Sequence, residues 1–313
     1  AFLPDWQLQI STISADEPQF DEHGNVYFAV TEDNVNIGAY NIISGRGIHI
    51  IKFDPNGTWL YTESIYSGNR CTNYDDGSYC VINSFNLISE DTFYIVATLR
   101  YAYSLTFSDG TSISFPSTSI YYTVVAHHDK NQSWTFAEST QEIGGSSITS
   151  IICEIDDNNE LTIARLVTGD SGYDNYELRR YSTTGGLWVR DFATEEVQQQ
   201  TSSWGGTSVY DRQNILVHSD GQLIHILALT DNHVKYDSQT VNCGSQGSEL
   251  CYIWISINAN GVRTDSVSVV HPLVTFSKFE VINNVAYMIG NAENFSTYYD
   301  KGDDTFFDNQ YQD

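Results

Sequence analysis

Positive charge is scarce in this chain. Its 313 residues include 14 Lys and Arg against 40 Asp and Glu, which gives a formal net charge of −26. Nucleic-acid binding requires a basic surface, so nucleic acid is excluded as a partner. The acidity has three alternative explanations: solubility, tolerance of high salt, and the binding of divalent cations by surface carboxylates.

Long apolar runs and helical patterns are missing as well. No apolar stretch is long enough to cross a membrane, so membrane insertion is not predicted. No window of eleven or more residues shows the 3.6-residue apolar period of a helix, and there is a single Met. Ser, Thr, Asn, Gln and Tyr supply most of the polar surface, a mixture that favours strands and turns. The sequence therefore predicts an all-β fold.

Cysteines are few, but four of them bracket two short polar loops. Cys71 and Cys80 enclose one loop, and Cys243 and Cys251 enclose the other. The spacing is unlike the CxxC of metal sites, and a disulfide in each loop would clip a flexible connection; four free thiols are the alternative. Cys153 is left over and is predicted to be a buried thiol. Two disulfides imply an oxidising compartment, and hence an extracellular or cell-surface location.

Three sequons agree with export and predict a glycoprotein. They lie at Asn56, Asn131 and Asn294, and the first two fall at predicted hairpin tips, where a glycan can be carried. The chain opens with neither an initiator Met nor a signal peptide, as a mature secreted chain or a fragment would.

An internal repeat is what the chain has in quantity. A polar turn followed by a short apolar strand recurs five times, and a strand–turn–strand pattern lies between the copies. The first set is 21–30, 88–97, 155–164, 218–227 and 281–290, and the second is 47–65, 120–140, 175–193 and 250–268. This spacing predicts a five-bladed β-propeller of four-stranded antiparallel blades. A two-sheet sandwich would explain the strands but not the repeat.

The blades are predicted to form a single domain over residues 1–313. Their approximate bounds are 15–70, 81–142, 147–198, 207–271, and 275–313 plus 1–14. The fifth unit lacks its second hairpin, whereas the N-terminal segment carries Trp6 after a short turn. The last blade is therefore predicted to be shared by the N- and C-terminal strands. The same strand could instead pair with a neighbouring subunit, which predicts self-association into an oligomer or a head-to-tail filament.

The first repeat also carries a family resemblance. FDEHGNVYFAV followed by GIHIIKFDPNGTWLYTESI resembles the bacterial-type β-propeller repeats of secreted and cell-surface proteins. The matching residues are Asp21, Gly24, Asn25, Tyr27, Lys52, Asp54, Gly57 and Trp59, and the second repeat keeps Asp129 and Trp134. The resemblance implies the propeller fold and a role in extracellular adhesion or assembly, without any single activity.

No catalytic residue is predicted. The candidate inner strands are nearly free of carboxylates, which disfavours a propeller glycosidase. His127 and His128 are adjacent, so they are expected to point to opposite faces of a strand.

Acidic loops make calcium a candidate ligand. Asp300, Asp303 and Asp304 lie beside a flexible glycine, and 154–160 offers a second set of oxygen ligands. Plain polar turns are the alternative in both places, and no other cofactor is predicted.

Trp204 lies in a Gly-rich loop outside the strand pattern and is a candidate for an exposed contact. Together these features predict a non-enzymatic extracellular structural or adhesive protein, as a subunit of a surface layer or a filament. The alternatives are a carbohydrate-binding propeller lectin and a propeller-fold glycosidase.

Overall fold

Every regular element in the described residues is a β-strand, and each strand pairing is antiparallel. Alternating apolar residues favour the strands, and Asx turns connect several of them. The computed structural model describes residues 14–15, 17–32, 36–37, 40–41, 47–67, 79–100, 104–116, 121–141, 151–167, 173–195, 215–230, 233–237, 239–243, 251–269, 276–283, 285–290, 296–300 and 305–309. Within them, no helix has the length and apolar character that a membrane crossing requires. The all-β prediction is confirmed.

The chain divides into two compact units. Unit 1 contains residues 1–148 and 183–185, and unit 2 contains residues 149–182 and 186–313. The prediction of one domain over 1–313 stays a prediction.

Sheet 1, in unit 1, combines the first repeat with a hairpin from the second. Its strands are β1 (Ser14–Ala15), β2 (Gln19–Phe20), β3 (Val26–Glu32), β6 (Gly47–Phe53), β7 (Trp59–Ser67), β10 (Ser104–Phe107) and β11 (Ser112–Ser114). They follow the order β1-β3-β6-β7-β10-β11, and β2 also pairs with β3. A separate two-stranded sheet contains β4 (Asn36–Ile37) and β5 (Tyr40–Asn41).

Sheet 2 completes unit 1 with four strands in chain order. They are β8 (Tyr79–Ser89), β9 (Thr92–Arg100), β12 (Tyr121–Asp129) and β13 (Ser133–Gln141). One apolar cluster joins sheets 1 and 2, with Ile50 and Ile65 from sheet 1 packed among Phe85, Ile95 and Val124 of sheet 2. Burial of this apolar surface is the main force that holds the two sheets together.

Unit 2 repeats this plan in sheets 3 and 4. Sheet 3 has the order β14 (Ile151–Ile155), β15 (Leu161–Val167), β16 (Tyr173–Ser182), β17 (Gly185–Glu195), β20 (His233–Tyr236) and β21 (Gln239–Asn242). Sheet 4 has the order β18 (Ile215–Ser219), β19 (Leu223–Thr230), β22 (Cys251–Asn258) and β23 (Arg263–Val269). Leu178 of sheet 3 lies in one core cluster with Ile226 and Ile253 of sheet 4.

Sheet 5 packs on the other face of sheet 4. Its strands are β24 (Phe276–Ile282), β25 (Val285–Gly290), β26 (Ser296–Asp300) and β27 (Thr305–Asn309), in chain order. Phe279 and Met288 contribute to a cluster with Trp254 of sheet 4.

The prediction that the fifth unit lacks a second hairpin was wrong, whereas the sharing of the last blade by the two chain ends stays a prediction. Sheet 5 reaches four strands within 276–309, and Ser14–Ala15 pairs with β3 of sheet 1. No turn followed by Trp is visible in the fifth unit, but STYYD and TFFDN, rich in β-forming residues, pair without one. Residues 1–13 lie outside the described part of the chain.

One type of five-residue turn closes hairpins in both units. Its first residue is Asp or Asn, whose side-chain oxygen accepts the backbone N–H groups two and four residues later. Its fourth residue has a left-handed backbone, with φ of 78° at Gly24 and 60° at Asn159. Only Gly and Asn adopt this conformation at low cost. The four copies are 21–25, 54–58, 156–160 and 258–262.

Candidate functional site

A buried ammonium group lies where sheets 1 and 2 meet in unit 1. The Lys52 side chain is 3% exposed, and its Nζ lies 2.7 Å from Asp91 Oδ1 and 3.1 Å from Glu90 Oε1. Asp21 Oδ2 is 3.9 Å away. A charge this deep requires such partners because its desolvation costs several kcal/mol. Lys52 belongs to sheet 1 and Glu90 and Asp91 belong to sheet 2, so the ion pairs join the two sheets.

Two tyrosines complete the shell of Asp91. The hydroxyls of Tyr27 and Tyr61 donate to Asp91 Oδ1 over 2.7 and 2.6 Å. The Asp91 backbone N–H donates in turn to the Tyr27 hydroxyl over 3.0 Å. Lys52 Nζ lies 5.2 and 5.6 Å from the two ring centroids, within cation–π range. Burial raises the pKa of both tyrosines, and the Asp91 carboxylate adds to it.

Asp91 is ionised in this environment. Burial opposes ionisation, but hydrogen bonds from Lys52, Tyr61 and Tyr27 outweigh it and lower the pKa of the Asp91 carboxyl. The pKa of neighbouring Glu90 is lowered by hydrogen bonds from Lys130 and Lys52. The cluster is therefore charged at neutral pH.

A cavity of about 430 Å³ lies beside this cluster. Strand β7 of sheet 1 provides one wall of the cavity, and the two hairpin turns of sheet 2 provide the other. The lining residues are Tyr61, Glu63, Asp91, His128, Lys130, Asn131, Gln132 and Ser133. Each lining side chain carries a polar group, and the cavity therefore offers hydrogen bonds in several directions.

The His128 ring is held in one orientation. It stacks on Phe93, with ring centroids 4.9 Å apart and planes 11° apart, and meets the edge of Trp134 at 5.2 Å. Its Nδ1 lies 2.9 Å from the carbonyl oxygen of Asp91, which can only accept, so Nδ1 carries a proton. The other nitrogen, Nε2, is 3.8 Å from Glu63 Oε1.

Glu63 is positioned by a chain of hydrogen bonds from sheet 2. Trp134 Nε1 donates to Ser108 Oγ over 3.0 Å, and Ser108 donates to Glu63 Oε2 over 2.5 Å. These contacts leave Oε1 on the side of His128. A carboxylate oxygen and an imidazole nitrogen are thus fixed at a separation too long for a direct hydrogen bond.

Unit 2 places a buried cation at the same register position. Arg180 pairs with Thr162 across sheet 3 as Lys52 pairs with Tyr27 across sheet 1. Its guanidinium is 2% exposed, contacts Asp156, and lies 2.7 Å from Glu160. Both acidic partners belong to sheet 3 itself. Two of the carboxylates proposed from the sequence as a second calcium loop, Asp156 and Glu160, are therefore paired with an internal arginine.

The junction that is a cavity in unit 1 is filled in unit 2. Trp188 Nε1 donates to the carbonyl oxygen of Ala259 over 2.8 Å, and Arg190 Nε donates to that of Gly261 over 2.9 Å. Both side chains come from β17, the strand of sheet 3 that corresponds to β7. They contact the second hairpin turn of sheet 4, as the cavity in unit 1 borders the second hairpin turn of sheet 2.

One of the two predicted disulfides is confirmed. Cys243 and Cys251 form a disulfide. Cys80 is also disulfide-bonded, and its predicted partner Cys71 lies outside the described residues. Cys153 remains a thiol, but it is half-buried rather than buried.

The other predicted site residues are only partly covered. Asn56 and Asn131 are exposed in turns, and Asn131 is on the rim of the cavity. Asn294, Asp303, Asp304, Trp204 and the side chain of Asp300 lie outside what the structure describes. Among the described side chains, no group of three or more His, Cys, Asp or Glu is arranged to hold a metal ion.

Sequence reasoning missed the residues that form the cluster and the cavity. His127 and His128 were expected on opposite faces, and they contact Thr135 and Asp91 respectively. Glu90 and Asp91, which both bind Lys52, were not among the candidate site residues. The available signal was Lys52 itself, the single Lys or Arg in a strand whose other residues are mostly apolar.

Comparisons with known proteins add little to this geometry. No family model matches the chain, and no curated protein matches it. One solved structure with some likeness is the β-propeller domain of Cps50 (Swd1) from Myceliophteria thermophila, with 7% identity and a TM-score of 0.31 over 96% of this chain and 87% of that chain. A likeness at this TM-score carries no argument, and membership of the bacterial-type repeat family stays a prediction.

Proposed function

We propose that this chain is a five-bladed β-propeller that serves outside a cell as a non-enzymatic structural or adhesive building block. Five antiparallel sheets of four or more strands support the fold, because each corresponds to one copy of the sequence repeat. Within unit 1 and within unit 2, consecutive sheets pack face to face through apolar clusters.

Strand addition between neighbouring sheets is the observation that carries the proposal. Hairpin β10–β11 leaves sheet 2 between β9 and β12 and pairs with β7, which is part of sheet 1. Hairpin β20–β21 leaves sheet 4 and pairs with β17 of sheet 3 in the same way. An outer edge in this protein therefore accepts antiparallel strands from elsewhere in the chain. Assembly by strand exchange requires the same contact between subunits.

The acceptor in an assembly is the outer edge of a sheet that receives no such hairpin. In the described part of the chain, sheets 2, 4 and 5 end at β13, β23 and β27. The donor is residues 1–13 of a neighbouring subunit, in which Trp6, Leu8 and Ile10 alternate as one face of a strand would. Because donor and acceptor surfaces differ, the contact is heterologous and propagates head to tail.

An extracellular location is supported by covalent chemistry. The Cys243–Cys251 disulfide and the half-cystine at Cys80 persist in oxidising compartments. Asn56 and Asn131 are exposed in turns and accessible to glycosylation.

The test is truncation followed by peptide rescue. The chain without residues 1–13 is compared with the full chain by sedimentation velocity and negative-stain electron microscopy over a range of concentrations. We expect filaments or larger oligomers from the full chain and monomers from the truncated chain. A labelled synthetic peptide of residues 1–13 should bind the truncated chain.

A matched peptide controls for unspecific apolar binding. Gln7→Pro and Gln9→Pro remove two backbone N–H groups from the same edge of the strand and leave Trp6, Leu8 and Ile10 in place. This peptide should not bind. If the truncated chain assembles like the full chain, the terminal strand is not the donor and the proposal fails.

A further inference from the structure

In both units a strand of the first sheet, β7 or β17, faces the second hairpin turn of the next sheet. The space between this strand and the turn is filled in one unit and open in the other. In unit 2, Trp188 and Arg190 occupy it and bind the turn at 258–262. In unit 1 the corresponding space is a cavity of about 430 Å³. This volume lies within the range of about 300–1,000 Å³ that is typical of small-molecule sites. Side chains of this protein can therefore fill such a junction, but in unit 1 the space is left open.

Rigid polar atoms face this cavity. Phe93 and Trp134 fix the ring of His128, and Ser108 fixes the carboxylate of Glu63. His128 Nε2 and Glu63 Oε1 are 3.8 Å apart. With Nδ1 protonated, Nε2 of the neutral ring accepts a hydrogen bond, as Glu63 Oε1 does, so two neighbouring hydroxyl groups of one ligand can donate one hydrogen bond to each atom.

Further hydrogen-bonding groups surround this pair. Asp91 receives its three side-chain donors on Oδ1, and its carboxylate is 18% exposed where it lines the cavity. The turn residues Asn131 and Gln132 are exposed and bring amide donors and acceptors to the rim. A ligand with several hydroxyl groups can therefore bind acceptors on one side and amides on the other.

Charge restricts the class of ligand. In and beside the cavity, four carboxylates face two ammonium groups: Asp21, Glu63, Glu90 and Asp91 against Lys52 and Lys130. The surplus of negative charge repels an anion. A metal ion does not fit either, because no described group of three His, Cys, Asp or Glu side chains could hold it, and two ammonium groups lie close by.

We propose that the cavity of unit 1 binds a neutral sugar residue through its hydroxyl groups. Glu63 Oε1 and His128 Nε2 each accept a hydrogen bond from one of two neighbouring hydroxyls, and Asp91 and the amides of the 130–133 turn bind others. This site goes beyond the assembly proposal and does not depend on it, because none of its residues lies in the terminal strand, and of the cavity lining only Ser133, the first residue of β13, belongs to an acceptor edge.

The test uses glucose, galactose and mannose as probes in saturation-transfer difference NMR on the full chain without N-glycans. At least one hexose should give a signal that saturates at millimolar concentration. Glu63→Gln keeps the size and the Ser108 contact but removes the charge of the acceptor, so it should weaken binding about tenfold, since hydrogen bonds to charged groups are stronger.

The matched control is Glu138→Gln. Glu138 pairs with Val125 in sheet 2 as Glu63 pairs with Ile50 in sheet 1, but it does not line the cavity. It should bind like the unmodified chain. If Glu63→Gln unfolds, Gln132→Ala in the exposed turn replaces it, with weakening again expected.

Several results would overturn the sugar site. These are no signal from any of the three hexoses, unchanged binding in the folded Glu63→Gln or Gln132→Ala variant, or binding of gluconate or glucosamine alone. None of them bears on whether removal of residues 1–13 abolishes assembly, so the two proposals fail separately.

Discussion

Units 1 and 2 bury a cation at the same position of their first sheet but neutralise it differently. In unit 1, Lys52 binds Glu90 and Asp91, which belong to the next sheet. In unit 2, Arg180 binds Asp156 and Glu160 of its own sheet. An arginine fork can bridge two carboxylates side by side, whereas a lysine concentrates its charge at one point. The ion pairs of Lys52 with Glu90 and Asp91 thus link two sheets in unit 1, and we call them the joint. The ion pairs of Arg180 with Asp156 and Glu160 lie within one sheet in unit 2, and we call them the brace.

Removal of either cation should have the largest effect. Lys52→Met leaves Asp21 and Asp91 without their counter-ion, and Arg180→Met does the same to Asp156. Because an unpaired buried charge is strongly destabilising, each variant should lose about 3–5 kcal/mol of the free energy of unfolding. Urea denaturation measures this loss.

Hydrogen exchange separates the joint from the brace. Lys52→Met should accelerate exchange in sheet 1 and also at the 89–92 turn of sheet 2. Arg180→Met should accelerate exchange in sheet 3 and leave sheet 4 unchanged. Faster exchange confined to sheet 1 in the first variant would remove the distinction between the units.

The acidic member of the joint should give the next largest effect. Asp91 has φ 58°, a conformation that Asn tolerates, so Asp91→Asn removes only the charge that receives three donors. We expect a loss of about 2 kcal/mol at pH 7.

The pH dependence of Asp91→Asn follows from the sign of the shift. Folding lowers the pKa of Asp91, so its contribution is complete above the ordinary carboxyl pKa of about 4 and is lost as pH falls through the lower folded value. The stability curves of the variant and the unmodified chain should therefore converge in acid.

Strands and turns could be predicted from the sequence because they depend on local patterns. The turn that begins at Asp54 is visible as DPNG, and the alternation of 47–53 and 59–65 sets the hairpin. Partner choice was not visible, because it depends on which sheet packs on which. Glu90 and Asp91 look like solvated turn charge in the sequence, and only the packing of sheet 2 on Lys52 gives them a role.

The cavity could not be predicted for the same reason. Tyr61, Glu63 and His128 come from strands of two sheets, and each is an ordinary strand residue in the sequence. The hairpins added to sheets 1 and 3 were also invisible, since β10–β11 and β20–β21 lie between strands of one repeat and pair with another.

Glycine substitutions test the filled junction of unit 2 against the turn at 107–111, which does not line the cavity of unit 1. Gly261 and Gly110 have similar left-handed backbones, with φ of 74° and 89°. A Cβ at Gly261 would lie 2.9 Å from Arg190 Nε and 3.1 Å from the Trp188 ring, whereas a Cβ at Gly110 meets nothing within 4 Å.

We expect Gly110→Ala to cost about 1 kcal/mol through backbone strain alone, and Gly261→Ala about 2 kcal/mol because Arg190 and Trp188 must also move. Thermal unfolding of the two variants measures the difference. Equal losses would mean that the contacts of Trp188 and Arg190 with the turn are loose.

The smallest effect is expected at His127. This residue lies in sheet 2 at the position that corresponds to Lys52 of sheet 1, and Ser256 lies at the same position in sheet 4. His127 is 1% exposed and its Nε2 is buried without a hydrogen-bond partner in the described residues. Burial lowers the pKa of His127 to about 4, although Asp129 acts in the opposite direction and His128 adds to the lowering.

This titration makes unit 1 sensitive to mild acid. The unfolded chain binds a proton at His127 below about pH 6.5 and the folded chain does not, so stability falls as pH drops from 6.5 towards 4. We expect the unmodified chain to lose about 1 kcal/mol between pH 7 and pH 5 from this group. His127→Gln, which cannot titrate, should show a correspondingly flatter curve in urea denaturation, and His225→Gln in sheet 4 serves as the matched control. Curves of equal slope for the His127 variant and the unmodified chain would show that a proton reaches His127 in the folded state as readily as in the unfolded chain.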